Sequence, residues 1–173
     1  MRVLYCVRLF SGLQSSVAAG AWRPTGVPTI YKMMEALDAG PDEVAFMLTC
    51  KDGNVDWPET RNRRMTLAGL TTPVDVLAGV RRFPRWLGPG RSVLRGLAHF
   101  AALWRAYRRM KPDLVYLDHA NMYVAGLLAL VTRARIVFRV MGVYPVMRAT
   151  VEGKSLRLRF MRWCYRRPWV LAV

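Results

Sequence analysis

The chain has 173 residues, 53% of them hydrophobic, and a formal net charge of +16 at pH 7. This length suffices for one domain with a sizeable core, and the apolar content excludes a disordered polar chain. No apolar run reaches the roughly 18 uninterrupted residues of a membrane span, because Asp118, His119 and Asn121 interrupt residues 114–131. The three cysteines are far apart and lack metal-ligand spacing, which favours buried thiols in a reducing cytoplasm over disulfides or a zinc site.

The positive charge is concentrated after residue 60. Residues 1–60 hold five Lys or Arg against seven Asp or Glu, a balance of −2, whereas residues 61–173 hold 22 against four, a balance of +18. Of the 27 basic residues, 23 are arginine, which suits bidentate contacts with phosphate or carboxylate, although a gene rich in G and C explains the same excess. Such a field attracts polyanions: anionic lipid, a phosphate-bearing substrate or nucleic acid.

The amino-terminal part of the chain predicts a strand, a loop and a helix. Residues 2–9 alternate and are rich in strand formers, so they predict a first strand rather than a signal peptide. Residues 11–24 are small and polar and predict a loop. The helix then begins near Thr25 as a cap, Gly26 as a point of close backbone approach, and Pro28 in the first turn. Its apolar face comprises Val27, Ile30, Tyr31, Met34 and Leu37.

The next segments are less regular. The helix should stop at residues 40–41, which are Gly-Pro, and residues 43–50 predict a second strand. A long polar loop follows at residues 51–64. Residues 65–70 and 74–80 each fit a short strand or a short helix, and the pattern leaves both choices open.

Residues 92–110 predict a long helix that starts with Ser92 as its cap. Its apolar residues recur three or four positions apart, and most of its arginines lie off that face or at its end. The apolar face comprises Val93, Leu97, Phe100, Trp104 and Tyr107. The pattern favours a helix packed on a sheet over one lying on a membrane surface.

The remaining segments continue the alternation of strand and helix. Residues 114–117 predict a strand buried on both faces, 121–131 a helix, and 136–141 another strand. Residues 154–167 predict a strongly basic helix, and 169–173 a last apolar strand. The whole chain therefore predicts a single α/β domain, with a Rossmann-like parallel sheet and helices on both faces.

Polar side chains follow two of these strands at their carboxyl ends. Ligands of parallel α/β sheets bind at that edge, so we expect any chemistry there. The residues are Asp118, His119 and Asn121 after one strand, and Met141, Gly142 and Tyr144 after the next.

The order and spacing of these parts resemble the amino-terminal domain of a glycosyltransferase with two Rossmann-like domains (GT-B), in the large retaining group called family 4. The matching parts are the first strand, the loop that enters a helix at Gly26, the pattern KPDLVYLDH at 111–119, and the small-residue helix AGLLAL at 125–130. A strand ending at Gly142, a basic helix and a short apolar strand complete the match. The resemblance spans residues 1–173 and implies half of such an enzyme, truncated before the donor-binding domain.

The resemblance also implies roles for single residues. Gly26 matches a glycine beside the donor diphosphate and the acceptor, where a side chain would block phosphate from the helix amino terminus, although a lone glycine here also fits a structural turn. His119 matches a polar position that faces the transferred sugar or the acceptor, and it is the catalytic candidate; a loop histidine bonded to backbone is the alternative. Gly142 matches a glycine that the family often precedes with His, where this chain has Met141. The remaining substrate-binding candidates are Asp118, Asn121 and Arg139.

By this resemblance, the protein transfers a sugar from a nucleotide-sugar donor to a lipid-linked or polysaccharide acceptor, without a cofactor or metal. In the family, the donor is held mainly by the second domain, so we expect the chain alone to bind acceptor but to be inactive. A complementary donor-binding chain is the implied partner. The implied location is the cytoplasm, peripheral on the inner face of the membrane, where the arginines meet anionic headgroups.

Two other classes of function stay open at this stage. One is a non-enzymatic basic module that binds anionic membrane or nucleic acid through residues 81–111 and 148–167, in which aromatic residues interleave with arginine. Nucleic acid is the weaker of these ligands because no nucleic-acid motif is present. The other is a dinucleotide-dependent oxidoreductase, which the absence of GxGxxG after the first strand disfavours.

Overall fold

A computed structural model describes residues 1–50, 61–78, 84–88, 90–139, 163 and 166–173. The strands in these residues are β1 (Arg2–Arg8), β2 (Glu43–Thr49), β3 (Arg63–Met65), β4 (Val74–Leu77), β5 (Leu114–Asp118), β6 (Arg135–Arg139) and β7 (Val170–Ala172). The helices are α1 (Ser11–Ala18), α2 (Pro28–Ala39), α3 (Gly90–Met110) and α4 (Met122–Val131), with 3-10 turns at Arg85–Leu87 and His119–Asn121.

The described strands form one seven-stranded sheet in the order β3-β4-β2-β1-β5-β6-β7. Every neighbouring pair is parallel except β3 with β4. Without the antiparallel edge strand β3, the order is that of a doubly wound Rossmann sheet, and it reverses direction between β1 and β5. The predicted Rossmann-like fold is confirmed, and the reversal makes the carboxyl ends of β1 and β5 the expected place for a ligand.

Helices cover both faces of the sheet, as predicted. On β1, Tyr5 and Val7 face α1 and α2, whereas Leu4 and Cys6 face α3 and α4. This alternation follows from the period of two along a strand, and it explains why the central strands are apolar at nearly every position. The chain is therefore a single α/β domain with two apolar cores, one on each side of the sheet.

Helix α1 corrects the prediction of a loop over residues 11–24. Its sequence has weak helix formers, but Leu13 and Val17 lie four residues apart and are fully buried against the sheet. Tertiary burial thus offsets the low local propensity. The expected cap at Thr25 is also wrong, because α2 begins at Pro28 with Val27 before it and no side-chain cap; Pro28 in the first turn is confirmed.

The first turns of α3 depart from the predicted packing. The helix begins at Gly90, so Ser92 lies inside it rather than capping it. Val93 and Leu97, both expected on the sheet-facing side, are 63% and 50% exposed. The core of α3 is instead made by Ala102, Leu103 and Ala106, with Phe100, Trp104 and Tyr107 packed at its margin.

The other predicted segments are confirmed where the structure describes them, except that the loop predicted at 51–64 ends earlier, because Arg63 and Arg64 belong to β3. Residues 43–50 and 121–131 contain β2 and α4, residues 114–117 lie within β5, and the run at 169–173 contains β7. Of the two ambiguous segments, 74–80 contains strand β4, whereas 65–70 contributes only Met65 to β3.

The predicted buried thiols are confirmed at Cys6 and Cys50, which are free and buried. Three other predictions fall wholly or partly outside the described residues. They are Cys164, the helix predicted at 154–167, of which residues 163, 166 and 167 are described, and the end of the strand predicted at 136–141. No helix in the described ranges is long and apolar enough to cross a membrane.

Candidate functional site

The crevice at the reversal of strand order is bridged by Asp118, the last residue of β5. Its Oδ2 accepts the backbone N–H of Arg8, at the end of β1, at 2.8 Å, and its Oδ1 accepts a hydrogen bond from Asn121 Nδ2 at 2.7 Å. Asp118 is only 5% exposed. Both carboxylate oxygens are therefore engaged by donors of the protein, and Asp118 holds β1 and β5 together at the ligand-binding edge.

The hydrogen-bonded chain continues to a third strand. Asn121 Oδ1 accepts the hydroxyl of Thr49, at the end of β2, at 2.9 Å, and both side chains are buried. The carboxyl ends of β1, β2 and β5 are thus tied by one buried polar chain, which we call the Thr49–Asn121–Asp118 chain. The hydrogen bonds within the chain offset part of the cost of burying these polar groups at the edge of the sheet.

Burial is the main influence on the carboxyl of Asp118, and it raises the pKa above the ordinary value of 3.8. The N–H of Arg8, the amide of Asn121 and the charge of protonated His119 oppose this rise by favouring the carboxylate. A carboxyl with a raised pKa beside a histidine at a ligand-binding edge is a common sign of a functional site.

His119 follows Asp118 directly and opens the 3-10 turn His119–Asn121. Its side chain is half-buried, unlike those of Asp118 and Asn121, which are buried. Because His119 as a residue retains exposed surface, it is the polar residue of this turn that a ligand at this edge can contact.

Two glycines allow close packing in the segment that follows β1. Gly26 has a φ of +95°, and a Cβ there would lie 3.2 Å from the ring of Phe10. Gly12, in the first turn of α1, is more restricted, because a Cβ there would lie 1.8 Å from the carbonyl oxygen of Thr25. Gly26 thus has a backbone conformation and a close contact that favour glycine, whereas its expected place beside a diphosphate stays a prediction. Gly12 was missed because its segment was predicted to be a loop.

Arg139, the last residue of β6, lies beside Asp118 in the strand register. Within the described residues, no ion pair joins Arg139 and Asp118. Arg139 instead lies near the hydroxyl of Tyr116, whose pKa is raised by burial and partly lowered again by the guanidinium. Arg139 Nη1 is buried and has no hydrogen-bond partner among the described residues.

The structure therefore brings Asp118, His119 and Asn121 together at the carboxyl edge, with Arg139 one strand away. Gly26 packs on Phe10 just after β1 at the same edge. Gly142 lies outside the described residues, so its predicted role stays a prediction. Within the ranges that the structure describes, no group of three His, Cys, Asp or Glu side chains is placed to hold a metal ion.

Comparison with known proteins yields one weak likeness. No model of a protein family matches the chain, and no curated protein matches it. A solved structure of the spinosyn rhamnosyltransferase SpnG, complexed with thymidine diphosphate, is similar at 20% sequence identity and a TM-score of 0.37. The match covers 80% of this chain and 34% of that one, so the chain spans about a third of that protein. At these values the likeness assigns neither a family nor an activity.

Proposed function

We propose that this domain binds the acceptor of a sugar-transfer reaction in the crevice between β1 and β5. The observation that carries the proposal is the buried, doubly hydrogen-bonded Asp118 at the reversal of strand order, followed by a half-buried His119. The resemblance to the amino-terminal domain of family-4 glycosyltransferases supports the same edge of the sheet and the same histidine.

His119 is the residue that contacts the substrate in this proposal. Its imidazole orients a hydroxyl of the acceptor or of the transferred sugar through a hydrogen bond, and the carboxylate of Asp118 stabilises any positive charge that the ring acquires. Asn121 and Thr49 are positioning residues, since their polar atoms are bound within the buried chain. Gly26 matches the glycine that the resemblance places beside a diphosphate at a helix amino terminus, and Arg139 supplies a nearby cation.

The leaving diphosphate gathers negative charge in the transition state, and cations must be in place to meet it. In the proposal, these cations belong to a donor-binding domain that closes over the crevice, either in the same protein or in a complementary chain. Without that donor-binding domain, the domain formed by residues 1–173 binds acceptor but does not transfer sugar. We place it in the cytoplasm, attached to the inner face of the membrane through its basic surface.

The two histidines of the chain allow a direct test of ligand binding. Their imidazole signals can be followed by ¹H–¹⁵N NMR and assigned with His119→Ala. Addition of farnesyl phosphate or a short oligosaccharide should shift the His119 signals. His99 serves as the internal control, because it is buried with Nε2 2.7 Å from the carbonyl oxygen of Ala78. Failure of every probe to shift His119, or equal shifts at both rings, would contradict the proposal.

A second candidate function is a non-enzymatic module that binds anionic membrane. Exposure of Val93 and Leu97 on the arginine-rich α3 favours it. The same NMR titration separates the two functions, because a membrane-binding module has no reason to respond at His119 to a soluble oligosaccharide.

A further inference from the structure

Arg8, the last residue of β1, has a guanidinium group that the described part of the domain does not satisfy. Its Nε is buried and has no hydrogen-bond partner among the described residues, and no ion pair joins its side chain to a carboxylate in the same ranges. As a residue, Arg8 keeps part of its surface exposed. A charged donor that is partly withdrawn from water is costly until it finds an acceptor, and a bound ion is one way to supply that acceptor.

The Arg8 side chain lies on the same face of the sheet as the turn that holds His119. Its partner in the strand register is Thr49, so the two side chains leave the parallel strands on the same face. On that face the Thr49 hydroxyl donates to Asn121 at 2.9 Å, and the 3-10 turn His119–Asn121 packs against β1. Arg8 and His119 therefore border the same part of the crevice.

The Thr49–Asn121–Asp118 chain does not satisfy the Arg8 guanidinium. Asp118 Oδ2 accepts the backbone N–H of Arg8 at 2.8 Å, and its Oδ1 accepts Asn121 Nδ2 at 2.7 Å. Asn121 Oδ1 accepts the hydroxyl of Thr49. The oxygens of this buried chain thus bond to other donors, and none of them bonds to the side chain of Arg8.

The charge at this edge of the sheet is positive. Of the described acidic residues, Asp118 alone ends a strand, whereas Arg8 ends β1 and Arg139 ends β6 on either side of it. A ligand at this edge meets two guanidinium groups and one carboxylate that already has donors. Negative charge on the ligand is therefore favoured over a neutral group.

We propose that Arg8 is a substrate-binding residue and that it binds an oxyanion, either a carboxylate or a phosphate, on the acceptor. A planar guanidinium donates two parallel hydrogen bonds to such a group, and a neutral hydroxyl cannot accept in this way. Arg8 thus selects an acidic sugar or a sugar phosphate over a neutral sugar. The assignment of the oxyanion to the acceptor rests on the proposed function, whereas oxyanion binding at Arg8 does not.

The Nε–H signal of Arg8 in ¹H–¹⁵N NMR tests the proposal directly. The atom is buried, so its proton is protected from exchange with solvent, and Arg8→Gln assigns the signal. Glucuronate or glucose 6-phosphate should shift this signal and those of His119, at about 0.15 M salt to screen general attraction to the basic chain. Glucose is the neutral match of both probes and should bind roughly tenfold more weakly than the preferred anion. Comparison of the two anions shows whether the group is a carboxylate or a phosphate.

Substitution of Arg8 tests its role in the affinity. Arg8→Gln should weaken binding of the preferred anion roughly tenfold or more and leave that of glucose unchanged. Arg133→Gln is the matched control, because it removes the same charge at an exposed position, and it should have little effect. Arg8→Lys keeps the charge without the paired donors, so its affinity should lie between those of the unchanged protein and Arg8→Gln. Arg8→Lys also carries the comparison if thermal melts show that Arg8→Gln does not fold.

Two results would overturn the proposal. One is equal affinity for glucuronate, glucose 6-phosphate and glucose. The other is an equal loss in Arg8→Gln and Arg133→Gln, which would indicate only general attraction to a basic chain.

The oxyanion site and the proposed function fail separately. If a neutral oligosaccharide shifts the His119 signals while neither anion shifts that of Arg8, only the oxyanion site is removed. If the anions shift the Arg8 signal while no probe shifts those of His119, only the proposed function is removed.

Discussion

Replacement of Asn121 by alanine should destabilise the domain because Asn121 links Thr49 to Asp118. The substitution removes a hydrogen bond of 2.7 Å to the carboxylate and one of 2.9 Å from the Thr49 hydroxyl. A hydrogen bond to a charged group contributes about 1.5–3 kcal/mol and a neutral one about 0.5–1.5 kcal/mol. The expected loss in the free energy of unfolding is therefore about 2–4 kcal/mol. At about 2–4 °C per kcal/mol for a domain of this size, the melting temperature should fall by about 5–15 °C.

Asp118→Asn is the matched comparison, and it should change stability by less than about 1 kcal/mol. The buried chain can reverse its direction: the new amide still accepts from the N–H of Arg8 and donates to Asn121, whose amide turns over and donates to the Thr49 hydroxyl. Thr49 Oγ1 already lies 3.5 Å from the carbonyl of Val7 and can donate to it. Every buried polar group then keeps a partner.

The two variants should also differ in their dependence on pH. Burial raises the pKa of Asp118 in the folded state above the ordinary value of 3.8, so the folded state binds this proton more tightly than the unfolded state. The stability due to this group is fully present below pH 3.8 and is lost as the pH rises through the folded pKa. Asp118→Asn removes this loss, so its stability relative to the unchanged protein should increase over that window. Asn121→Ala removes a donor to the carboxylate and so raises the pKa of Asp118 in the folded state further. Its loss of stability relative to the unchanged protein should therefore be larger at neutral pH than at acid pH.

Urea unfolding, followed by circular dichroism from acid to neutral pH, measures both effects. The reasoning is refuted if Asn121→Ala unfolds at the same urea concentration as the unchanged protein. It is equally refuted if Asp118→Asn is destabilised as much as Asn121→Ala, because the chain could then not reverse.

Two further predictions concern glycine packing and thiol reactivity. Gly12→Ala should cost about 1–3 kcal/mol because its Cβ would lie 1.8 Å from the carbonyl oxygen of Thr25. Gly96→Ala, at a helical glycine with open space around it, should instead stabilise by up to about 1 kcal/mol; equal urea midpoints for the two variants would contradict this reasoning. Burial raises the pKa of Cys50 to about 12 and that of Cys6 well above its usual range. Mass spectrometry should therefore find both thiols unmodified by iodoacetamide at about pH 8 until urea is added. Alkylation in the folded protein would show that the thiols are accessible.

The local sequence pattern was sufficient to predict strands where both faces of the strand are buried, fully or nearly so. Residues 43–50 and 114–117 were predicted as strands because apolar strand formers follow one another, and both lie inside the sheet. Pattern failed for residues 11–18, whose glycine and serines indicate a loop. There the decisive interactions are those of Leu13 and Val17 with residues on β1 and β2, which are distant in sequence.

The candidate site was likewise predictable from the sequence in part: the position of its residues was, but their environments were not. Asp118, His119 and Asn121 were predicted at the carboxyl edge because polar residues that follow a buried strand must leave the sheet there. Their different environments were not predictable. Asn121 bonds to Thr49 at a sequence separation of 72, and Asp118 bonds to Arg8 at a separation of 110. Contacts at such separations leave no periodic signal in the sequence.

The sequence by itself determined the order of most elements, the parallel sheet and the edge at which polar residues collect, because these depend on local apolar periodicity and on turn residues. Only the tertiary structure decided which apolar residues of α3 are buried and which polar residue of the edge stays accessible. A helix has the same period whether or not a sheet lies beneath it, so Val93 and Leu97 are indistinguishable from core residues in the sequence. Among the residues of α3 whose burial is described, the first buried one is His99, which contacts the carbonyl of Ala78 just past β4, so Val93 and Leu97 precede the packed part of the helix.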